Sequence, residues 1–274
     1  AGWKLHADRR PKPYGEFPLP SAVATRPVPA DILLRQTQLI LTAWGASQAH
    51  VETIAANMFE ADLRGIDSHG VGMFPRYDAL RRSGAINLQP DIEVHDDEGA
   101  TALIDADHAM GHVPATMAME LACEKAAAFG VGVVSVRRSN HYGAAGIYST
   151  MATQRGLIGF STTGATQRSV VPTFAREPRF STNPIAFAAP AAANPAFSLD
   201  MATSTVAVGK INIARRAGKP LPDGWAVNTT GEPENDAQAA IDATPKRLTP
   251  LGGTRELGSH KGYGLAVMVE ILSS

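Results

Sequence analysis

The sequence has very little cysteine, which limits the redox chemistry that it can carry. Cys123 is the single cysteine among 274 residues, so no disulfide can form within the chain, as is typical of proteins from a reducing compartment. Cys123 lies in an alanine-rich helical pattern, which favours a buried structural thiol over a nucleophile. No apolar run reaches transmembrane length, and the N-terminal residues contain no signal-peptide core. These absences predict a cytoplasmic protein without a membrane partner.

The sequence also lacks an excess of either charge. Lys and Arg together number 25, and Asp and Glu together number 26, so no basic surface is expected and nucleic acid is not an expected partner. Hydrophobic residues make up 44% of the chain and charged residues 19%, as in compact soluble enzymes. A chain of this length can bury a substantial core, as one large domain or two.

Two common nucleotide-binding patterns are missing. The run Gly130-Val131-Gly132 has Ser135 where the third glycine of a Rossmann signature belongs, and it precedes a strand instead of following one. The run 258–262 has neither the leading glycine spacing nor the hydroxyl residue after lysine that a Walker A loop requires. If a nucleotide binds, it binds through another architecture.

A metal site is not predicted either. His108 and His112 are four residues apart beside two aspartates, a spacing that could bind a metal if the segment were helical. Gly111 and Pro114 disfavour a regular helix there, and the sequence contains no third cluster of ligands.

Periodicity predicts helices first and a mixed α/β region afterwards. Residues 1–28 are expected to form a proline-rich arm outside the core. Helices are predicted from Pro29 onward, over 49–63 and over 73–82, the first with an apolar stripe of Ile32, Leu33, Leu39, Ile40 and Trp44. A hairpin is predicted within residues 91–107.

The alternation of helix, buried strand (131–136), helix and strand over 115–165 predicts an α/β layer. Residues 218–258 are expected to be a long irregular connection. The final segment, 262–272, is a nearly all-apolar helix and is therefore expected to be buried. Since nothing after it would cover it, the natural chain is expected to be longer.

Two histidines lie in similar glycine-flanked settings. They belong to Asp67-Ser68-His69-Gly70 and to Ser139-Asn140-His141-Tyr142-Gly143. Glycine lets the backbone turn sharply and approach a ligand, and histidine is the commonest general acid or base at neutral pH. Taken alone, a Ser-His-Gly run is more often only a loop that ends a helix. Asp200, after an apolar residue, fits a helix N-cap almost as well as a site.

Five motifs in order resemble the malate/L-lactate dehydrogenase family, a non-Rossmann group of oxidoreductases. Besides the two histidine motifs, which extend to 67–70 and 139–146, they are Thr182-Asn183-Pro184-Ile185-Ala186, Leu199-Asp200-Met201-Ala202-Thr203-Ser204 and His260-Lys261-Gly262-Tyr263-Gly264-Leu265. They cover about residues 30–274. The resemblance implies a homodimeric reductase of 2-oxo acids or cyclic imino acids that uses NAD or NADP. It also implies a mixed α/β, non-Rossmann nicotinamide-binding fold, with a helical N-terminal region and a mixed sheet covered by helices.

The resemblance also implies roles for residues. His69 matches the proton donor and His141 a second acid/base, and Ser68, next to His69, is expected to be a further catalytic residue. The implied cofactor contacts are Ser161, Thr163, Asp200, Met201, Ala202, His260 and Lys261. Asn140 is expected to contact the substrate. The expected domains are 29–110 with 259–274, for substrate and dimerisation, and 111–258, for the cofactor.

The sequence departs from the family pattern in two places. Many members have an arginine four residues after the first histidine that grips the substrate carboxylate. Met73 stands there in this chain, and Arg76 is the nearest arginine, so Arg76 is the expected substrate contact. Family chains also continue past the last helix. These departures leave open a catalytically silent homologue that acts as a scaffold. A hydrolase using Ser68, His69 and Asp200 is a further alternative, although adjacent Ser and His side chains seldom face each other and no nucleophile elbow is present.

Overall fold

The computed structural model describes residues 28–165 and 167–273. The proline-rich arm predicted for residues 1–28 lies, apart from Val28, outside the described residues. Within them the chain has the predicted mixed α/β fold, with helices first and two small sheets after them. None of the helices in the described ranges is both long and apolar enough to cross a membrane.

The helical region forms one hydrophobic core. Its elements are α1 (Ala30–Ala43), α2 (Gln48–Leu63), a 3₁₀ turn (Val71–Met73) and α3 (Phe74–Arg82). Ser47 caps α2 by accepting a hydrogen bond from the backbone N–H of His50 at 3.4 Å. The core is built from Leu41, Val51, Ile54, Ala55, Met58 and Tyr77, all less than 3% exposed.

The apolar stripe predicted for α1 is wrong in part. Ile32, Leu39 and Ile40 are exposed, and the buried side of the helix carries Thr37 and Leu41. Thr37 can lie there because its hydroxyl donates to the carbonyl oxygen of Leu33 at 2.9 Å. Packing against α2 decides which side of α1 is buried, and the apolar spacing within α1 did not determine it.

The first sheet combines a hairpin with a parallel strand. Strand β1 (Glu93–Glu98) pairs antiparallel with β2 (Thr101–Asp105), and β2 pairs parallel with β3 (Val133–Arg137). Helix α4 (His112–Phe129) makes the connection from β2 to β3. This sheet joins strands on both sides of residue 110, and the division into two domains at that point stays a prediction.

The second sheet is antiparallel and carries the next motifs. After α5 (Ala145–Thr153) come β4 (Gly159–Thr162), β5 (Ile185–Ala189) and β6 (Phe197–Met201), with β5 in the centre. Because β4 and β6 both run antiparallel to β5, they are parallel to each other. Their C-terminal ends therefore lie at the same edge of the sheet.

The predicted alternation over 115–165 exists, but it does not form one layer. Strands β3 and β4 belong to different sheets, so α5 crosses from one sheet to the other. Strand β3 was expected to be buried and is at an edge, with Val133 54% exposed. A Cβ on Gly132 would lie 2.0 Å from the carbonyl oxygen of Ala122, so α4 packs directly on the start of β3 and covers only one side of it.

The remaining helices are α6 (Val208–Arg216), α7 (Ala237–Asp242) and α8 (Ser259–Ser273). Helices α6 and α7 contribute Ile211, Ala237 and Ala240 to a second hydrophobic core. The connection over 218–258 is largely irregular, as predicted, and contains α7. Helix α8 buries Gly262, Ala266 and Val269, but Met268, Ile271 and Leu272 are exposed. The expectation of a helix buried on all sides is therefore wrong within this chain.

Candidate active site

His69 lies in a tight turn after α2, and the turn is held by Asp62. The Asp62 carboxylate accepts the backbone N–H of Val71 at 2.9 Å. A Cβ on Gly70 would lie 1.8 Å from Asp62 Oδ1, so the backbone can come this close only with glycine at position 70. Gly65, with a φ of 72°, makes the reversal that precedes the turn. Burial raises the pKa of Asp62.

His141 lies in the loop between β3 and α5, and Asn140 fixes that loop. A Cβ on Gly111 would lie 2.2 Å from the carbonyl oxygen of Asn140, so the loop packs directly on the start of α4. The Asn140 side-chain amide donates to three backbone carbonyl oxygens, those of Ala85, His108 and Ala109 at 3.0, 2.8 and 3.2 Å. These bonds make Asn140 a structural support of the His141 loop, and its contact with substrate stays a prediction.

The structure brings the two predicted catalytic histidines together. The rings of His69 and His141 stack with centroids 5.4 Å apart and an interplanar angle of 23°. Ser68 Oγ lies 2.8 Å from His69 Nδ1, so in this turn the adjacent hydroxyl does face the imidazole. No hydrogen bond or ion pair joins a carboxylate to His69 within the described residues, and the Ser–His–Asp arrangement of a hydrolase is therefore not formed there.

Burial makes both imidazoles poor bases, but to different degrees. The pKa of His69 is lowered by burial, while the carboxylate of Asp200 opposes this shift and the charge of Arg76 adds to it. The pKa of His141 is lowered to about 3, first by burial and then by Arg76, His69 and His112. Both rings are neutral at pH 7, and His69 takes up a proton more readily than His141.

Arg76 is the cation whose charge acts on both histidines. It is half-buried on α3, and no hydrogen bond or ion pair occupies its guanidinium among the described residues. Its charge lowers the pKa of both His69 and His141. Met73 packs instead against the hydrophobic core of the helical region and has no charge to offer a carboxylate.

Sequence reasoning did not place Tyr77 and His112 beside this pair. The hydroxyl of Tyr77 lies 2.8 Å from His141 Nδ1, and the Tyr77 ring meets His112 edge-on at 5.6 Å. Tyr77 looked like any aromatic residue on an amphipathic helix, so no signal marked it. His112 did stand out, but as a candidate metal ligand with His108. His112 begins α4 whereas His108 precedes it, and across the described ranges no three His, Cys, Asp or Glu are grouped to hold a metal.

Two of the predicted cofactor segments meet at one edge of the second sheet. Ser161 pairs with Ala186, and Ala186 pairs with Asp200. Directly paired residues of an antiparallel sheet face the same side, and neighbouring strands are about 4.8 Å apart. Ser161 and Asp200 are therefore about 10 Å apart on one side of the sheet. Met201 is the last residue of β6, and Thr163 and Ala202 lie just beyond the ends of β4 and β6.

Contacts through α5 link this edge to the histidines. Asp200 Oδ2 accepts the backbone N–H of Gly146 at 2.7 Å, and a Cβ on Gly146 would lie 2.9 Å from the Asp200 Cβ. Asp200 also acts electrostatically on His69. Tyr142, next to His141, places its hydroxyl 3.5 Å from Ser161 Oγ.

The third predicted segment reaches the same region through Leu251. Leu251 donates its N–H to the carbonyl oxygen of Thr203 at 2.8 Å and accepts the N–H of Gly262 at 3.1 Å. Leu251 therefore links the start of α8 to the segment that follows β6. His260 and Lys261 are exposed there, and no hydrogen bond or ring contact joins them to the histidine pair in the described part of the chain.

This geometry offers a proton carrier, a neutral hydrogen-bond donor, an unoccupied guanidinium and a strand edge with a carboxylate. The sequence model of the malate/L-lactate dehydrogenase family matches residues 28–274. The malate dehydrogenase of Pyrococcus abyssi is 45% identical over 247 residues, which are 90% of this chain and 67% of that protein. The L-sulfolactate dehydrogenase of Methanothermobacter thermautotrophicus is 41% identical over 85% of this chain and 65% of its own length.

A solved structure agrees with these sequence matches. The crystal structure of malate dehydrogenase from Entamoeba histolytica superposes with a TM-score of 0.86 at 35% identity, covering 91% of this chain and 70% of that one. This chain therefore spans about two thirds of the length of the proteins that it matches.

Proposed function

Because this chain belongs to the malate/L-lactate dehydrogenase family, we propose that it is an NAD(P)-dependent oxidoreductase of small 2-hydroxy and 2-oxo acids. One observation carries the proposal. The charge of Arg76 acts on both rings of the stacked His69–His141 pair, and the carboxylate of Asp200 acts on His69. Together these groups meet the needs of carbonyl reduction, which are a proton, a polarising donor and an anchor for the acid group.

His69 is the proton donor in this proposal. A reduced nicotinamide, when bound, would supply the hydride for the carbonyl carbon, and the carbonyl oxygen would then need a proton from the protein. Asp200 favours a protonated His69, whereas His141 stays neutral because its pKa is about 3. His69 therefore gives its proton to the developing alkoxide, and His141 donates a hydrogen bond to the same oxygen. In the oxidation of a hydroxy acid, neutral His69 accepts the proton.

Arg76 is proposed to bind the substrate carboxylate. A guanidinium matches a carboxylate with two parallel hydrogen bonds, and Arg76 has no partner of its own among the described residues. It lies one turn after Met73 on the same helical segment, so the anchor has moved along the helix. Small 2-oxo acids are the substrate class that this arrangement fits.

The residues at the edge of the second sheet fit a nicotinamide cofactor. Gly146 leaves no room for a side chain beside Asp200, a close approach that keeps the carboxylate at a fixed place next to His69. Ser161 and the segment 200–202 would hold the nicotinamide half, and Lys261, exposed at the start of α8, would bind a phosphate. NAD and NADP both suit this assignment.

A homodimer is part of the proposal. Exposed apolar side chains occur on α8 (Met268, Ile271, Leu272) and around the second sheet (Ile158, Phe160, Phe197). We expect these side chains to be covered in the interface of a dimer. Sedimentation at micromolar concentration tests this part separately.

The alternatives have less support. Relatives of this chain are named as dehydrogenases, and nothing in those names favours a silent scaffold. The hydrolase requires a carboxylate on His69, and Asp200 is instead bound by the Gly146 N–H.

Fluorescence titration with NADH and with NADPH tests the proposal most directly. We expect saturable binding of at least one of them, followed by turnover with 2-oxo acids such as oxaloacetate or pyruvate. The variant His69→Gln should bind the cofactor normally and lose turnover. Absence of binding by either nucleotide to the folded protein would refute the enzyme and favour the scaffold.

A further inference from the structure

The ring of His141 is held in one tautomer by two donors to the same nitrogen. The backbone N–H of Gly143 donates to His141 Nδ1 at 3.3 Å. A backbone N–H can only donate, so Nδ1 must carry a lone pair. The Tyr77 hydroxyl, 2.8 Å from the same nitrogen, is then also a donor. Because the ring is neutral, its proton is on Nε2.

Both residues that donate to His141 pack against His112. The Tyr77 ring packs edge-on against the His112 ring, with an interplanar angle of 86°. On the other side, a Cβ on Gly143 would lie 2.9 Å from His112 Nε2. His112 thus supports the tyrosine that donates through its hydroxyl and the glycine that donates through its backbone.

His112 is an unusual residue to find in this place. It is 1% exposed, and neither of its ring nitrogens has a hydrogen-bond partner among the described residues. Each buried polar atom without a partner is costly, and an apolar ring would fill the space without that cost. Burial, reinforced by the nearby His69, lowers the pKa of His112 to about 3, so the ring adds no charge to the site.

We propose that His112 and Tyr77 are positioning residues that hold His141 as a neutral donor with its proton on Nε2. This inference rests on the proposed function, in which that N–H polarises the substrate carbonyl and His69 transfers the proton. His112 acts through Tyr77 and Gly143 and does not itself touch the reacting atoms. Its neutral ring gives a rigid support beside two imidazoles without placing a second positive charge near His69.

The tautomer of His141 can be observed without any enzymatic assay. We suggest recording ¹H–¹⁵N long-range correlation spectra of the full chain labelled on histidine, with His141→Gln to assign the His141 signals. The wild type should show His141 only with its proton on Nε2. Tyr77→Phe removes one donor, and His112→Leu disturbs both. In each variant, signals of the Nδ1–H tautomer of His141 should appear. These signals should be at least as strong in His112→Leu as in Tyr77→Phe.

Kinetics give a second measurement that a merely structural residue would not affect. Each variant should lower kcat by about 10- to 100-fold while the KM for the cofactor is unchanged. The two losses should be less than additive in the double variant because both act through the same ring. His95→Gln, a change at a half-buried histidine of β1 paired with Glu93, is the matched control and should leave both the spectra and kcat unchanged.

Defined results would overturn the inference. A wild-type His141 protonated on Nδ1, or unchanged His141 signals in both variants, would refute it whether or not the protein is a dehydrogenase. A change in Tyr77→Phe alone would remove His112 from the assignment. If His112→Leu does not fold, His112→Gln is measured in the same way. Failure of the proposed function would appear differently, as a wild type with the expected tautomer but no turnover.

Discussion

The imidazole rings of His69 and His141 stack at 5.4 Å although the residues come from separate loops, 72 positions apart in the sequence. Two uncharged imidazoles can approach in this way, whereas two imidazolium ions would repel each other. A positive charge on His69 lowers the pKa of His141, which disfavours protonation of both rings at once. This agrees with the proposed division of roles between a proton carrier, His69, and a neutral donor, His141.

The first prediction concerns that division. His69→Gln removes the proton carrier, so turnover should fall by about 10²–10⁴-fold, with cofactor affinity nearly unchanged. His141→Gln should cost less or act mainly through KM. Steady-state kinetics together with cofactor titration distinguish the two. If His141→Gln abolishes turnover and His69→Gln does not, the assigned roles are reversed.

The second prediction concerns Arg76. Arg76→Leu should raise the KM for a 2-oxo acid by about 10- to 100-fold, since a charge-assisted hydrogen bond to the carboxylate is lost. Arg82→Leu, on the same helix but paired with Asp78 at 2.7 Å, is the control and should leave KM unchanged. Equal effects of the two changes would contradict a carboxylate site at Arg76.

The third prediction concerns the pH dependence of reduction. Reduction needs protonated His69, so kcat/KM should fall as pH rises through the His69 pKa, which burial places below 6.5. Oxidation needs the neutral ring and should rise over the same interval. The charge of Arg76 lowers this pKa, so Arg76→Leu should move both profiles toward higher pH. Profiles that stay in place would show that another group titrates.

The fourth prediction uses two helical glycines. In Gly146→Ala the new Cβ would lie 3.0 Å from Asp200 Oδ2, so Asp200 must shift and cofactor affinity should fall. In Gly209→Ala the new Cβ would meet nothing within 4 Å, so affinity should be unchanged and the free energy of unfolding should rise by about 0.4–1 kcal/mol. Cofactor titration and urea unfolding measure both effects. Undiminished affinity in Gly146→Ala would argue against Asp200 as a cofactor contact.

The fifth prediction is acid lability caused by His112. Its pKa is about 3 in the folded protein against an ordinary value of 6.5. As pH falls below 6.5 the unfolded chain binds this proton first, so stability is lost between these values, by up to about 1.4 kcal/mol per pH unit. Urea unfolding at several pH values between about 7 and 5 should show a smaller loss in His112→Gln. Parallel slopes in the two proteins would contradict the buried neutral ring.

Much of the fold could be predicted because it depends on residues that are close together in the sequence. Helical periodicity located α2 and α4, and the glycines at positions 65, 70 and 143 marked the turns that present both histidines. The mismatched glycine spacing also excluded a Rossmann motif. Periodicity did not decide which side of α1 is buried or that β3 and β4 join different sheets, since both depend on packing against distant segments.

The sequence by itself determined the family, the two histidine motifs and the substitution of methionine at position 73. Only the tertiary structure decided what surrounds them. Tyr77 contacts His141 across 64 positions of sequence. The side-chain amide of Asn140 donates to backbone carbonyl oxygens, and Arg76 has no partner among the described residues. Local patterns encode turns and periodicity, whereas burial, pKa and tautomer depend on which distant atoms share a low-dielectric space.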